Sequence, residues 1–431
     1  MLYLIPEIYR MKKNPWISRD KLDRIRVDLL KEQIKNISNN IPFYQAIFKK
    51  SNLLLSDFTT INDLRKLPIV TKEDIRGKTD KFLNKHLDFR KFLKSHSSGS
   101  TGQPFWSYFD RRSWIRKKYT SKLRARMACG MKLGEKVAIF ESEPVDKCEA
   151  LNNKHFARNF LLKVMRFSIY EDFEKTFIRL SEFKPQNIYG PPNYFFQLAQ
   201  FVKKKNVSIS FLKRIYTSSE YLESPVKNIM RNVFQVDIFD VYGSTEFKEV
   251  AWECKYHQGY HLNEDEVICE ILNENKPAPP GEVGDIVLTD LRNRAMPLIR
   301  YRIKDRGKFL DEICPCGRTF SLMQPLAGRA SEYIQLSNGE KLSPFLFTTS
   351  IEKIQGLAQY QLIQKSENDL IVNVILLEGT NKEVLSKIEK ILRNVTKELM
   401  RISIQECQKI SVEENVKFKV VKNLVQEGIP K

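Results

Sequence analysis

Long apolar runs are missing from this sequence: nothing in its 431 residues approaches the roughly 20 consecutive apolar residues that a membrane helix needs. A membrane-spanning protein is therefore not expected. Met1 to Pro6 holds only a few apolar residues before Glu7 and Arg10, so no signal peptide is expected, and a cytoplasmic location follows as the default. Cysteine is sparse and odd in number, seven in all, which without a secretory segment argues against a disulfide framework. Acidic residues are outnumbered, 52 against 72 Lys and Arg, leaving a formal net charge of +20. Such an excess suits nucleic acid, an anionic membrane face, or polyanionic small molecules such as ATP and coenzyme A. The plainer reading is a lysine-rich solvated surface. No RNA-binding motif accompanies the charge, so nucleic acid is not an expected partner. Internal repeats and low-complexity tracts are absent too.

What is present is the balance of a globular chain, 42% hydrophobic and 29% charged, long enough for two domains. Residues 1–82 read as helices: Leu22 to Ile37 has apolar residues at helical spacing, and Asn40-Ile41-Pro42 breaks the pattern. The densest basic cluster, Arg111 to Lys132, carries Ile115, Tyr119, Leu123 and Met127 every four residues, which predicts an amphipathic helix packed through that stripe. From Lys136 onward short β-rich runs alternate with helical ones: Val137–Phe140, Asn187–Tyr189 before a Gly-Pro-Pro turn, Arg214–Tyr216 and Val236–Tyr242. That alternation argues an α/β domain with a largely parallel sheet. Strand character without helices at Glu282–Leu291 suggests an appended β-subdomain, 250–328. After Gly328-Arg329 the pattern changes to two β-rich runs in 359–377, a helix from Asn381 to Arg401 and a strand at Val416–Val421. The expectation is a large α/β domain, 1–329, and a small mobile α+β domain, 330–431.

Three segments carry candidate chemistry. The Gly- and hydroxyl-rich run Ser97–Pro104 lets backbone amides and OH groups converge on phosphate oxygens, yet it lacks the Gly-Lys-Ser/Thr ending of a Walker loop, and such runs also serve as turns. Tyr242-Gly243-Ser244-Thr245-Glu246 follows a predicted strand; an aromatic there can stack on a purine, and a carboxylate four residues on can hold Mg²⁺. A Tyr-Gly turn with a capping Thr-Glu is the plain alternative. Asp305, closing Arg300–Asp305, can accept both ribose hydroxyls, or simply end a charged strand.

Together and in this order, the three resemble the core signatures of the adenylate-forming superfamily of acyl-CoA synthetases. Within it the chain is similar to the phenylacetate–coenzyme A ligase branch, which includes capsular-polysaccharide adenylation proteins. Ile41–Tyr44, Leu67–Asp74, Thr217–Glu220, Ala295–Arg302 and Gly328-Arg329 carry the resemblance over nearly the whole chain. The resemblance implies ATP-dependent activation of a carboxylic acid to its acyl-AMP with release of pyrophosphate. The acyl group then passes to coenzyme A, or to an amine or hydroxyl in polysaccharide relatives. It implies roles as well. Ser98, Gly99, Ser100, Thr101 and Gly102 would cradle the β- and γ-phosphates, and Ser219 and Glu220 would line the adenine side. Within Tyr242-Gly243-Ser244, Tyr242 would stack on the base; Thr245 would contact the α-phosphate and Glu246 hold Mg²⁺. Asp305 would take the ribose, with Arg329 near it at a hinge, and Lys417 in Val416–Lys419 would bridge the carboxylate and the α-phosphate. Tyr189, Gly190 and Pro191 would border the acyl pocket, or only form a strand-end turn. Two departures, Gln103 for the usual lysine and Val416 for the usual glycine, motivate an alternative: a non-catalytic nucleotide-binding member of a polysaccharide assembly system. The second also leaves Lys419 as a rival to Lys417. Relatives are often dimers, so a homodimer is compatible with the resemblance.

Cys254, His261 and Cys314-Pro315-Cys316-Gly317 offer three thiols and an imidazole, a set suited to tetrahedral structural Zn²⁺. Cys-x-Cys is a weak spacing on its own, and His257 is a rival imidazole. Similar elements in the branch the chain resembles favour the zinc.

Overall fold

The computed structural model describes residues 4–97, 105–141, 143–154, 163–329, 334–339, 341–342, 347, 350–351, 354–410 and 419–425. The chain forms two compact units, one of residues 1–130 with 241–325, the other of residues 131–240 with 326–431. Its class is mixed α/β, as the strand–helix alternation predicts. Among the described residues no helix is long and apolar enough to cross a membrane.

In the first unit the helices Leu4–Lys13, Arg19–Asn40 and Pro42–Lys50 come first. Ser18 enters the long helix from an extended conformation, and Pro42, whose ring disfavours a helical residue before it, separates the second helix from the third. Leu22, Leu29, Leu30, Ile34 and Ile37 recur at helical spacing and are buried. An antiparallel array follows from Lys248–Glu253, Tyr260–Leu262, Val267–Asn273, Gly284–Asp290 and Tyr301–Leu310. The strand expected at Glu282–Leu291 is therefore Gly284–Asp290.

The basic segment from Arg111 is a correction. It forms Arg111–Ile115, a π-turn over Arg116–Thr120, and Ser121–Ala128. The face it buries is not the apolar stripe: Tyr119 is 44% exposed, whereas Lys117 is 1% exposed. Lys117 pairs with Asp290 at 3.0 Å, Arg116 with Glu7 at 2.9 Å, and Arg124 with Asp265 through two 2.7 Å contacts. Desolvating these cations is tolerable because each meets a buried carboxylate, so part of the positive charge is internal rather than solvated.

In the second unit the strands Val164–Ser168, Val137–Glu141, Asn187–Gly190 and Arg214–Ser218 lie side by side in that order, all parallel. Helices Val145–Lys154, Phe173–Phe183 and Pro192–Lys205 lie between them in the chain, as parallel pairing requires, and Ser224–Phe234 follows the last strand. A four-stranded sheet runs Arg401–Glu406, Asp369–Leu376, Leu357–Gln364, Val421–Asn423; its central pair is antiparallel and its outer pairs parallel. One apolar cluster, from Phe195 and Ile215 to Tyr360 and Leu370, packs this unit. The helix expected over Asn381–Arg401 ends at Val395, because Lys397 and Glu398 take left-handed backbone and turn the chain into the Arg401–Glu406 strand. Residues 416–418 of the expected last strand lie outside the described residues.

Candidate active site

The strand Asp237–Ser244 leaves the second unit after Asp240, and Tyr242 to Glu246 belong to the first. Its antiparallel return, Lys248–Glu253, closes a tight turn whose register shifts between Tyr242 and Gly243. Gly243 is required there: a Cβ would sit 2.3 Å from the Lys248 carbonyl oxygen. Ser244 Oγ accepts the Phe247 N–H at 3.1 Å and tightens the same turn. Thr245 and Glu246, at its tip, are half-buried.

The strand Tyr301–Leu310 supplies the facing groups. Its pairing with Gly284–Asp290 is irregular: Asp285 and Val287 register with Arg306 and Arg302, and Lys304 between them has φ +68°. Such a bulge re-aims side chains. Asp305 Oδ2 accepts the Tyr242 hydroxyl at 2.9 Å, and Glu246 Oε1 accepts the buried Tyr301 hydroxyl at 3.2 Å. Two carboxylates from distant sequence positions are thus each oriented by a tyrosine. The expected opening segments brace this corner. Val70 donates its N–H to the Arg300 carbonyl, and its own carbonyl accepts the Arg302 N–H, both at 2.9 Å; Tyr44 OH accepts Ile299 N–H at 3.0 Å; Lys304 pairs with Glu73 at 2.7 Å.

Lys248, two residues after Glu246, was not legible from spacing. Its ammonium donates to Ser95 Oγ, and burial, with Lys122 and Lys118 nearby, pushes its pKa down to about 7.

In the second unit Tyr189-Gly190-Pro191 and Ser218-Ser219-Glu220 leave the C-terminal ends of neighbouring parallel strands, Gly190 registering with Thr217. Strand ends of this kind are where open α/β sheets bind ligands. Gly190 is packed so closely that a Cβ would lie 2.7 Å from Phe140 Cβ. Ser219 has φ +80°, and Glu220 Oε2 accepts Asn193 N–H at 3.3 Å, at the start of the Pro192–Lys205 helix. Thr217 Oγ1 donates to Asp240 Oδ1 at 2.5 Å, a buried pair that sequence spacing did not flag. The phosphate-loop candidates Ser98 to Gly102, with Gln103, and the lysine candidate Lys417 lie outside the described residues, as does the Arg329 side chain. Lys419 is described; its carbonyl accepts Gln361 Nε2 at 2.8 Å.

The structure brings Cys254, His261, Cys314 and Cys316 together, their ligand atoms all within 4.8 Å of one another. Cys254 and Cys314 sulfurs are 3.5 Å apart, and Cys316 Sγ is 3.3 Å from His261 Nε2. The Phe320 carbonyl lies 3.3 Å from His261 Nδ1, which directs Nε2 to the thiols. Burial pushes the His261 pKa down to about 4, keeping the ring neutral as a ligand must be. Burial raises the Cys254 and Cys314 thiols; at Cys316 burial is opposed and outweighed by the Arg318 N–H groups, which lower it. Gly317, φ +77°, makes the knuckle possible, its N–H donating to Cys314 O at 3.0 Å. His257 instead faces Glu253 at 3.4 Å. Three sulfurs and one nitrogen at these separations fit tetrahedral zinc with no open position.

No family model matches the chain. It is 24% identical over 374 residues to the phenylacetate–coenzyme A ligase of Thermus thermophilus, covering 82% of this chain and 80% of that one. Against the phenylacetate–coenzyme A ligase of Escherichia coli it is 26% identical, with 80% and 79% covered. Against Protein CapK of Staphylococcus aureus it is 22% identical, with 81% and 78% covered. The fold is that of solved acyl-CoA ligases: 2-hydroxyisobutyryl-CoA ligase in the postadenylation state superposes with a TM-score of 0.78 at 16% identity, over 96% of this chain and 92% of that one. Along four-fifths of its length the chain is similar to phenylacetate–coenzyme A ligases and to CapK, and its fold is that of adenylate-forming acyl-CoA ligases.

Proposed function

We propose that this chain activates a carboxylic acid with ATP, forming acyl-AMP and pyrophosphate, and then passes the acyl group to coenzyme A or to another acceptor. The observation that carries the reading is the pair of oriented carboxylates, Asp305 under Tyr242 and Glu246 under Tyr301. Asp305 would accept ribose hydroxyls, and Tyr242 would offer its ring to the base. Glu246 would hold Mg²⁺, whose charge offsets that of the phosphates. Its fit rests on the donor chemistry: a half-buried carboxylate at a loop tip, with one oxygen committed to a tyrosine.

The chain's part in adenylation is then positioning. The substrate carboxylate and the α-phosphorus are held in line, Thr245 contacts the α-phosphate, and Lys417 neutralises charge as the pyrophosphate bond breaks. The ends of the parallel strands, Tyr189–Pro191 and Ser219–Glu220, would border the acid and the adenine. The Cys254, His261, Cys314, Cys316 cluster would hold a structural zinc that folds its loop and takes no part in the reaction. Surface-polysaccharide assembly is one setting for such an enzyme, with an amine or hydroxyl as acceptor.

ATP–pyrophosphate exchange over a panel of carboxylic acids tests the reading. Exchange with at least one acid, abolished in Glu246→Ala and Lys417→Ala, is expected. Nucleotide binding without exchange for any acid would instead favour a non-catalytic, nucleotide-binding role.

A further inference from the structure

Lys248 adopts left-handed backbone, φ +63°, a conformation that glycine takes freely and that strains a residue with a side chain. Strain of this kind persists where the surroundings over-determine it, and functional sites are where it collects. The side chain deepens the anomaly. A lysine could extend its ammonium to water, yet this one turns inward, donating to Ser95 Oγ, with Nζ 5.4 Å from the ring centroids of both Phe109 and Trp114. A second ammonium, that of Lys118, lies 4.8 Å from the same Trp114 ring. The adjacent carboxylate, Glu249, faces Lys122 at 3.4 Å. Among the described residues no carboxylate lies within ion-pairing distance of Lys248. A strained, partly desolvated cation beside another cation, with a neutral hydroxyl as its hydrogen-bond acceptor, is an arrangement that an anion completes.

The place of Lys248 in the turn indicates which anion. It follows Glu246 by two residues, on the turn that Gly243 and Ser244 close, and its partner Ser95 lies on the Leu93–Ser97 strand of the same unit. We propose that Lys248 binds the pyrophosphate end of the nucleoside triphosphate and offsets its charge during adenylation. This rests on the adenylation reading given above. In that step a substrate carboxylate oxygen bonds to the α-phosphorus, the bond from that phosphorus to the bridging oxygen breaks, and the pyrophosphate leaves with the electron pair. In its ammonium form Lys248 faces the oxygens on which negative charge grows.

Calorimetric titrations with MgATP, magnesium pyrophosphate and AMP separate this role from a packing role. The variants are Lys248→Gly, which relieves the backbone strain, Lys248→Met, which keeps the apolar stem, and Lys248→Arg, which keeps the charge. Losing one charge-assisted contact should weaken MgATP and pyrophosphate about 10- to 100-fold in the Gly and Met variants. The Arg variant should stay within about 3-fold of the parent, and AMP should bind all four proteins alike. A lysine that only packs on Phe109 and Trp114 predicts unchanged MgATP affinity in folded Lys248→Gly, and that result overturns the proposal. So does an equal loss for AMP and MgATP. A parent protein that binds no nucleotide and exchanges pyrophosphate with no acid overturns the adenylation reading itself, and is told apart because it needs no variant.

Discussion

Replacing Gly243 by alanine probes the turn that carries Thr245 and Glu246. The new methyl carbon would start 2.3 Å from the Lys248 carbonyl oxygen and 3.0 Å from the carbonyl carbon, both backbone atoms that cannot rotate away. Ordinary contact needs roughly 1 Å more, so the two strands must part where they turn. Overpacking of this kind typically costs about 1–3 kcal/mol, which urea unfolding resolves. A functional loss should accompany it, because the displaced turn carries the carboxylate that Tyr301 orients at 3.2 Å. A misplacement of about 1 Å at a reacting centre is worth on the order of 100-fold in rate. Gly243→Ala should therefore lower kcat/KM for ATP–pyrophosphate exchange about 100-fold while the protein remains folded at about 25 °C. Exchange within a factor of about 2 of the parent would show that Glu246 does not depend on this turn, and the reasoning would fail.

Three further outcomes are expected. Tyr301→Phe frees one Glu246 oxygen without altering the ring packing against Phe105 and Phe247, so the Mg²⁺ concentration for half-maximal exchange should rise while stability falls by only about 1 kcal/mol; an unchanged Mg²⁺ dependence would contradict the assignment of Glu246. Metal analysis of the purified chain should find one zinc, lost in Cys316→Ser together with thermal stability but without direct loss of the chemical step; a chain lacking stoichiometric zinc refutes the site. Burial alone would raise the Glu7 pKa, but hydrogen bonds from Arg116 and Arg112, with the charges of Arg116 and Arg292, outweigh it and lower it from 4.5 to about 2. A folded value below the unfolded one adds stability above pH 4.5 that disappears as pH falls towards 2, worth up to about 3 kcal/mol. Glu7→Gln should flatten that part of the urea-stability profile, and parallel profiles for parent and variant would rule the linkage out.

The order of strands and helices was legible because period-two and period-3.6 hydrophobic patterns are local, as at Val137–Phe140 and Leu22–Ile37. The candidate site was read for a different reason: Tyr242–Glu246 and Arg300–Asp305 keep residue types suited to a nucleotide, in an order that resembles the adenylate-forming signatures. What misled was the basic helix. The Ile115–Met127 stripe has the right period, but periodicity cannot reveal that Glu7, Asp265 and Asp290 wait beneath the opposite face. Burial of Lys117 is a property of the pair it makes with Asp290, 173 positions away in the chain, and no window of sequence contains both.

The same division holds at the candidate corner. The sequence alone determined which chemistry is on offer: a hydroxyl-rich loop, two carboxylates, an aromatic at a strand end, three thiols and an imidazole. Tertiary structure alone decided that Tyr301 orients Glu246, that Tyr242 orients Asp305, that His261 rather than His257 joins the thiols, and that Lys248 turns inward on strained backbone. Composition and spacing follow from covalent order. Orientation depends on which distant strand packs alongside, and that is set when the chain buries its apolar surface and pairs its buried polar groups.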